Sequence, residues 1–149
     1  MPNAPSIQLL PWRDIYPATL QIPEFTEAYP ESKYVERLAD KDHLCLAAVL
    51  DDQIAGFKIG YALDKTTFYS WVGGVLPAFR QMGLAHSLAD EMERICKDRG
   101  YRILRMKTQN RFKAMLHFAI GNGFHLTEVI QKESPERYRI VLEKRLFDA

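Results

Sequence analysis

The sequence predicts a mixed α/β layer fold, and three observations predict it. Runs rich in β-branched and aromatic residues recur along the chain, separated by turn residues. Two amphipathic helical stretches lie between such runs. The resulting order is strand, helices, three strands, helix, strand, helix, two strands, which suits a sheet covered by helices.

Each element follows from local signals. "SIQLLPW" reads as a short strand ended by Pro11. Pro17, Pro23 and Pro30 should cut residues 13–40 into short helical pieces, of which "YPESKYVERLAD" is the strongest. "HLCLAAVL" and "IAGFKIGYAL" flank the tight turn "DDQ", so 43–63 is expected to be a hairpin. "TTFYSWVGGV" is a third strand. Leu84, Leu88, Met92, Ile95 and Cys96 mark one helix face, with Gly100 placed as its C-terminal stop. "YRILRMKT" is a strand. Phe112, Met115, Leu116, Ala119 and Ile120 form a second helical stripe, ended by "GNG". "FHLTEVI" and "RYRIVLEKRL" alternate as two final strands. The strand–helix–strand unit from 66 to 107 should be a right-handed crossover between parallel strands.

Bulk properties narrow the classes. The 149 residues suit one domain, 1–149. They are 47% hydrophobic and 26% charged, which argues against disorder. A net charge of +1 gives no overall bias toward nucleic acid, so none is expected as a partner. There is no apolar run of membrane-spanning length and no secretory pattern, so a cytoplasmic location is expected. Cys45 and Cys96 lack metal-ligand spacing and read as reduced core residues; no metal site is expected.

The stretch "GGVLPAFRQMGLAHSL" joins a strand, a loop and a helix start in little space. Helix N-termini present unpaired N–H groups and a partial positive charge, and glycine allows an anion close to the backbone. A phosphate cradle at "RQMGLAH" is one reading; an ordinary strand-to-helix turn is the other. The segment is neither GxxxxGK[ST] nor GxGxxG.

Here the sequence resembles the GNAT N-acetyltransferase superfamily. That family's [Q/R]-x-x-G-x-[G/A] signature is matched by Arg80-Gln81-Met82-Gly83-Leu84-Ala85. The preceding "GGVLP" resembles the family's V-x-P, and Asn110 followed by "NGF" resembles its N…GF. The likeness covers about residues 43–130. It implies a mixed, mostly antiparallel sheet of about six to seven strands with about four helices, and a donor-binding core at about 66–124. It also implies acetyl-CoA as co-substrate. Its pyrophosphate would sit on the signature loop from Arg80, on the N–H groups of Gln81, Met82, Gly83, Leu84, Ala85 and His86. Its pantetheine would pair with Gly73, Gly74 and Val75, with Asn110 also bonding to it. A bulge at Gly73-Gly74 would free the Val75 N–H for the thioester oxygen.

The family's acid and base are less legible. Tyr69 and Arg105 occupy the places where relatives often carry a glutamate. Glu24, Glu27 and Glu31 are the alternative bases, Glu27 among them the one retained. Tyr69 and Trp71 share a strand face, and line either the acceptor pocket or the core. The family's acid is a tyrosine before "GF". Counting from Asn110 puts His117 there, and counting back from Phe124 puts Ala119. Residues 94–113 are basic and 24–52 acidic. An acidic rim would suit a cationic acceptor. The function expected is transfer of acetyl to a primary amine of a small molecule or protein, with a homodimer as one arrangement. Two other classes compete: a CoA-binding module without turnover, and a nucleic-acid binder using the basic stretch.

Overall fold

A computed structural model describes residues 4–147. Seven strands form one sheet: β1 Ser6–Leu9, β2 His43–Leu50, β3 Gln53–Ala62, β4 Thr67–Val75, β5 Ile103–Gln109, β6 His125–Ile130 and β7 Arg139–Arg145. Their order is β1-β2-β3-β4-β5-β7-β6, and every pair is antiparallel except β4 with β5. Four helices complete the fold: α1 Trp12–Thr19, α2 Glu31–Leu38, α3 Leu84–Asp98 and α4 Lys113–Gly121.

The elements form where their residues favour them. Asp51 and Asp52 both have positive φ (51° and 61°), the turn geometry that matches the twist of a two-residue hairpin between β2 and β3. Gly100, at φ 88°, ends α3 in the left-handed conformation that suits glycine. Pro17 does not cut its helix: α1 runs through it to Thr19. Burial of Ile15, Ala18 and Thr19 holds the last turn despite the missing N–H.

The sheet has a distinct core on each face. On one, α1 and α2 bury Ile15, Tyr34 and Leu38 against Phe57, Ile59, Tyr61, Tyr69 and Trp71. On the other, α3 buries Leu84, Leu88, Met92 and Cys96 against Leu44, Leu46 and Phe68. Both cysteines are free and buried, as expected. Ala119 of α4 packs on Ile140 and Leu142 of β7. No helix among the described residues is long and apolar enough to cross a membrane.

Gly60 lets β3, β4 and α3 meet. A Cβ there would lie 2.5 Å from the Tyr69 carbonyl oxygen, 2.7 Å from Phe68 and 3.3 Å from Met92. The backbone contact leaves little room for relief. Gly60→Ala should therefore lower stability by about 2–3 kcal/mol, read as a reduced denaturation midpoint with an unchanged m-value.

Candidate acetyl-donor and acceptor site

The site begins where two strands part. β4 pairs with β5 only from Thr67↔Ile103 to Ser70↔Met106. Beyond that, β4 continues along β3 to Val75, while β5 continues along β7 to Gln109. The sheet is thus open between Trp71–Val75 and Lys107–Gln109. In antiparallel pairing, the amides of successive residues point alternately toward and away from the partner strand. Leu76 N–H donates to Ala55 (2.9 Å), so the Gly56↔Val75 pair is a non-bonded one. The amides of Val75 and, two residues back, Gly73 therefore face the opening.

The β4 irregularity lies earlier than the sequence suggested. Ile59 pairs with Val72 and Gly60 with Ser70, so Trp71 is the extra residue, not Gly73 or Gly74. The two glycines answer other constraints. A Cβ on Gly74 would meet Ile22 at 2.9 Å, because the segment after α1 closes over it. A Cβ on Gly73 would lie 3.5 Å from the Lys58 side chain, which crosses it on the α3 face.

At the end of the opening, the signature loop turns into α3. Gln81 (φ 66°) and Gly83 (φ 77°) are both left-handed, and Gly83 caps the helix. Among the described residues, none of the amides from Gln81 to His86 donates to another group of the protein. No acidic residue occupies the first turn of α3. Six adjacent unpaired N–H groups with the helix dipole behind them make a receptor for an anion. A Cβ on Gly83 would meet nothing within 4 Å, so the loop is open to solvent.

The other expected residues scatter. Arg80 turns back: its Nε donates to the Val75 carbonyl (3.0 Å), and it grips Glu24 through both terminal nitrogens (2.9 Å each). The guanidinium holds the Glu24 carboxyl below its ordinary pKa, which makes Glu24 a weak base. Glu27 and Glu31 are exposed and form no ion pair among the described residues. Asn110 ties the chain to the loop before β7: its side-chain N–H donates to Pro135 (3.1 Å), and its oxygen accepts from Lys113 (3.2 Å). His117 is exposed on α4 with no polar partner among the described residues, and Ala119 is core. Between Asn110 and α4 the chain makes a short turn at Arg111–Phe112. His86 pairs with Asp90 (3.5 Å) and meets Phe118 edge-on across the α3–α4 gap.

Tyr69 and Trp71 form a floor with Tyr29 and Tyr61 on the face covered by α1 and α2. Burial pushes the Tyr69 hydroxyl up to about 12, so it keeps its proton at neutral pH. Among the described residues, no hydrogen bond or ion pair joins a carboxylate to this floor. Two of the acids in residues 24–52 are engaged by arginines: Glu24 faces Arg80 and Asp42 faces Arg99. Four of the eight cations in the basic stretch form ion pairs among the described residues: Arg94 with Glu91 and Asp98, Lys97 with Glu93, Arg99 with Asp42, and Arg105 with Glu143.

Near the opening, Gln109 and Lys58 escape sequence reading, and Trp71 is expected only as a pocket or core residue. The Trp71 indole N–H, on β4, and the Gln109 Oε1, on β5, are buried without a partner among the described residues. Such orphan groups are costly unless a ligand completes them. Lys58 is half-buried and forms no ion pair among the described residues, and burial lowers its pKa to about 8. No sequence signal marks the isolation of these polar atoms, because it depends on neighbours from distant strands.

The comparisons now bear on this geometry. The family model described as "Acetyltransferase (GNAT) family" matches residues 11–124, so the chain belongs to the GNAT acetyltransferase family. Comparison with curated proteins gives no match. Among solved structures, the chain is similar to the ribosomal-protein-S18-alanine N-acetyltransferase from Escherichia coli, with TM-score 0.86 and 15% identity over 98% of this chain and 96% of that one. It is also similar to a GNAT family acetyltransferase from Elizabethkingia anophelis with acetyl-CoA bound (TM-score 0.77, 17% identity, covering 95% and 97%). A third is Arabidopsis thaliana Naa50 in complex with the bisubstrate analogue CoA-Ac-MVNAL (TM-score 0.78, 17% identity, covering 95% and 99%). At these identities the likeness is one of fold.

Lys58 gives a stability test. Burial disfavours its charged form, so the native state carries a cost below pH 8 that fades as pH rises from about 8 to 10.5. Lys58→Met should stabilise the protein by about 1–3 kcal/mol at pH 7. Chemical denaturation should show that advantage shrinking by pH 9.5.

Proposed function

We propose that the protein is an acetyl-CoA-dependent N-acetyltransferase that acetylates a primary amine by direct attack on the thioester. One observation carries this reading: an opening in the sheet, edged by free β4 amides, ends at six unpaired amides of the α3 start. One side of the opening suits an extended amide-containing arm, and its end suits a pyrophosphate. The donor's phosphates are assigned to the amides of 81–86, with Arg80 bracing the loop rather than contacting phosphate. The arm is assigned to the edge Gly73–Val75. Gln109 Oε1 is assigned to an N–H of the arm, in the role that the family likeness gave to Asn110.

In this reading the amine nitrogen attacks the thioester carbon and the C–S bond breaks. The Val75 N–H holds the oxygen on which negative charge develops. The amine proton leaves to water, and the thiolate departs as a tolerable leaving group because its pKa is near 8.5. Neither Glu24 nor Tyr69 is a suitable base. His117 and Glu27, both exposed, are given no role. The lack of a carboxylate bonded to the floor among the described residues also favours a second reading, in which CoA is bound without turnover.

Two measurements follow. Gly83→Asp places a carboxylate among the free amides, whereas Gly83→Asn gives similar bulk without charge. Calorimetry should show CoA affinity falling at least about 100-fold for Asp, and much less for Asn. Equal affinities would move the pyrophosphate elsewhere. Free-thiol release with an amine acceptor should rise tenfold per pH unit up to the acceptor's own pKa, because no protein base is provided. A plateau beginning well below that pKa would reveal a base. Failure of every amine to release thiol, with CoA bound, would support binding without turnover.

A further inference from the structure

The opening between β4 and β5 has two mouths. On the proposed reading, the donor's phosphates occupy the end marked by the α3 amides. The other mouth opens on the floor of Tyr29, Tyr61, Tyr69 and Trp71, where the acceptor must meet the thioester.

The charged groups that stand over the rings of the floor are cations, among them Lys41, 4.6 Å from the Tyr61 ring centre. Arg37 reaches the floor from α2 and is half-buried; its Nη1 donates to the Tyr61 hydroxyl (2.9 Å). The guanidinium carbon lies 5.2 Å from the Trp71 ring centre and 6.0 Å from that of Tyr29. Lys107 on β5 places its ammonium 5.8 Å from the Tyr69 ring centre. Arg139 on β7 stands in register with Gln109, and its charge, like that of Arg37, opposes the rise of the Tyr69 pKa. Among the described residues, none of Arg37, Lys107 and Arg139 forms an ion pair. The nearby Arg105 does, with Glu143. Glu128 lines a recess with Lys107, but it lies on β6, beyond both β5 and β7 from the floor.

An unpaired guanidinium held in place by aromatic rings is a pre-organised fork for an anion. A second positive charge on the acceptor would meet three of its own sign. The segment between α1 and α2 is also tied down across this region, by the Tyr16 hydroxyl on the Tyr29 carbonyl and by Glu24 on Arg80. That closure favours a small molecule.

We propose that the acceptor is a small amine that also carries an anionic group, a carboxylate or a phosphate, bound by Arg37 with Lys107 and Arg139 around it. This rests on the acetyltransferase reading above. The amine end would point into the opening and the anionic end toward Arg37.

The test is free-thiol release by the intact chain with acetyl-CoA and matched amine pairs. Tyrosine against tyramine probes a carboxylate, and phosphoethanolamine against ethanolamine probes a phosphate. Rates are compared at equal concentrations of the neutral amine form. At least one anionic partner should exceed its match by about tenfold or more in kcat/KM, and the pair that does so identifies the group. Arg37→Gln should bring that ratio below about threefold, mainly through acceptor KM. Lys107→Gln, at an exposed position that does not threaten the fold, should lower it in the same direction. Equal rates within both pairs, a preference for diamines, or a ratio that neither variant moves would overturn the proposal. Release of thiol with tyramine or ethanolamine would still leave the transferase reading standing. Bound CoA with no release from any amine would overturn both.

Discussion

The parting of β4 from β5 after Ser70 and Met106 is the constraint on which the rest depends. Each strand has an antiparallel neighbour that it keeps to the end: β3 for β4, β7 for β5. The single parallel seam is the one that opens. Trp71 helps to open it, because an extra residue in β4 adds local twist and redirects the strand beyond it. A parallel seam also requires a crossover, and α3 is that crossover. Its N-terminus therefore arrives beside the gap as a consequence of topology.

The electrostatics divide along the same line. The amides of 81–86 supply positive potential without any side-chain cation, and Arg80 is spent on Glu24 and the Val75 carbonyl. That contact fixes the loop to the segment between α1 and α2. The two ends of the opening are thus mechanically joined by one ion pair, although its partly exposed setting makes it modest in energy. On the far side, the aromatic floor and Arg37 create a site of quite different character, apolar with a free positive charge.

Much of the fold was legible because its signals are local. The alternation in β6 and β7, the helical stripe of α3 and the turn residues Asp51 and Asp52 act over a few residues each. Pro17 misled because its cost is local, while the burial of Ile15 and Ala18 that offsets it is tertiary. The signature loop was legible through Gly83, whose positive φ and open surroundings explain why glycine stands there. Gly73 and Gly74 were read as a bulge, but the nearer causes are Lys58 and Ile22, residues remote in sequence. The charge near the aromatic floor depends likewise on residues remote in sequence. Acidic residues are abundant in 24–52, yet α2 turns Arg37 onto Tyr61 and Trp71, while Glu27 and Glu31 are exposed. Net composition of a segment does not say which of its charges faces a site.

The most direct test is an amide-resolved NMR titration of the protein with acetyl-CoA. The largest shifts should fall on the amides of Gly73, Val75 and residues 81–86, with the Gln109 side-chain amide and the Trp71 indole N–H also perturbed. Shifts centred instead on β6 and β7, with the 81–86 amides unmoved, would contradict the account.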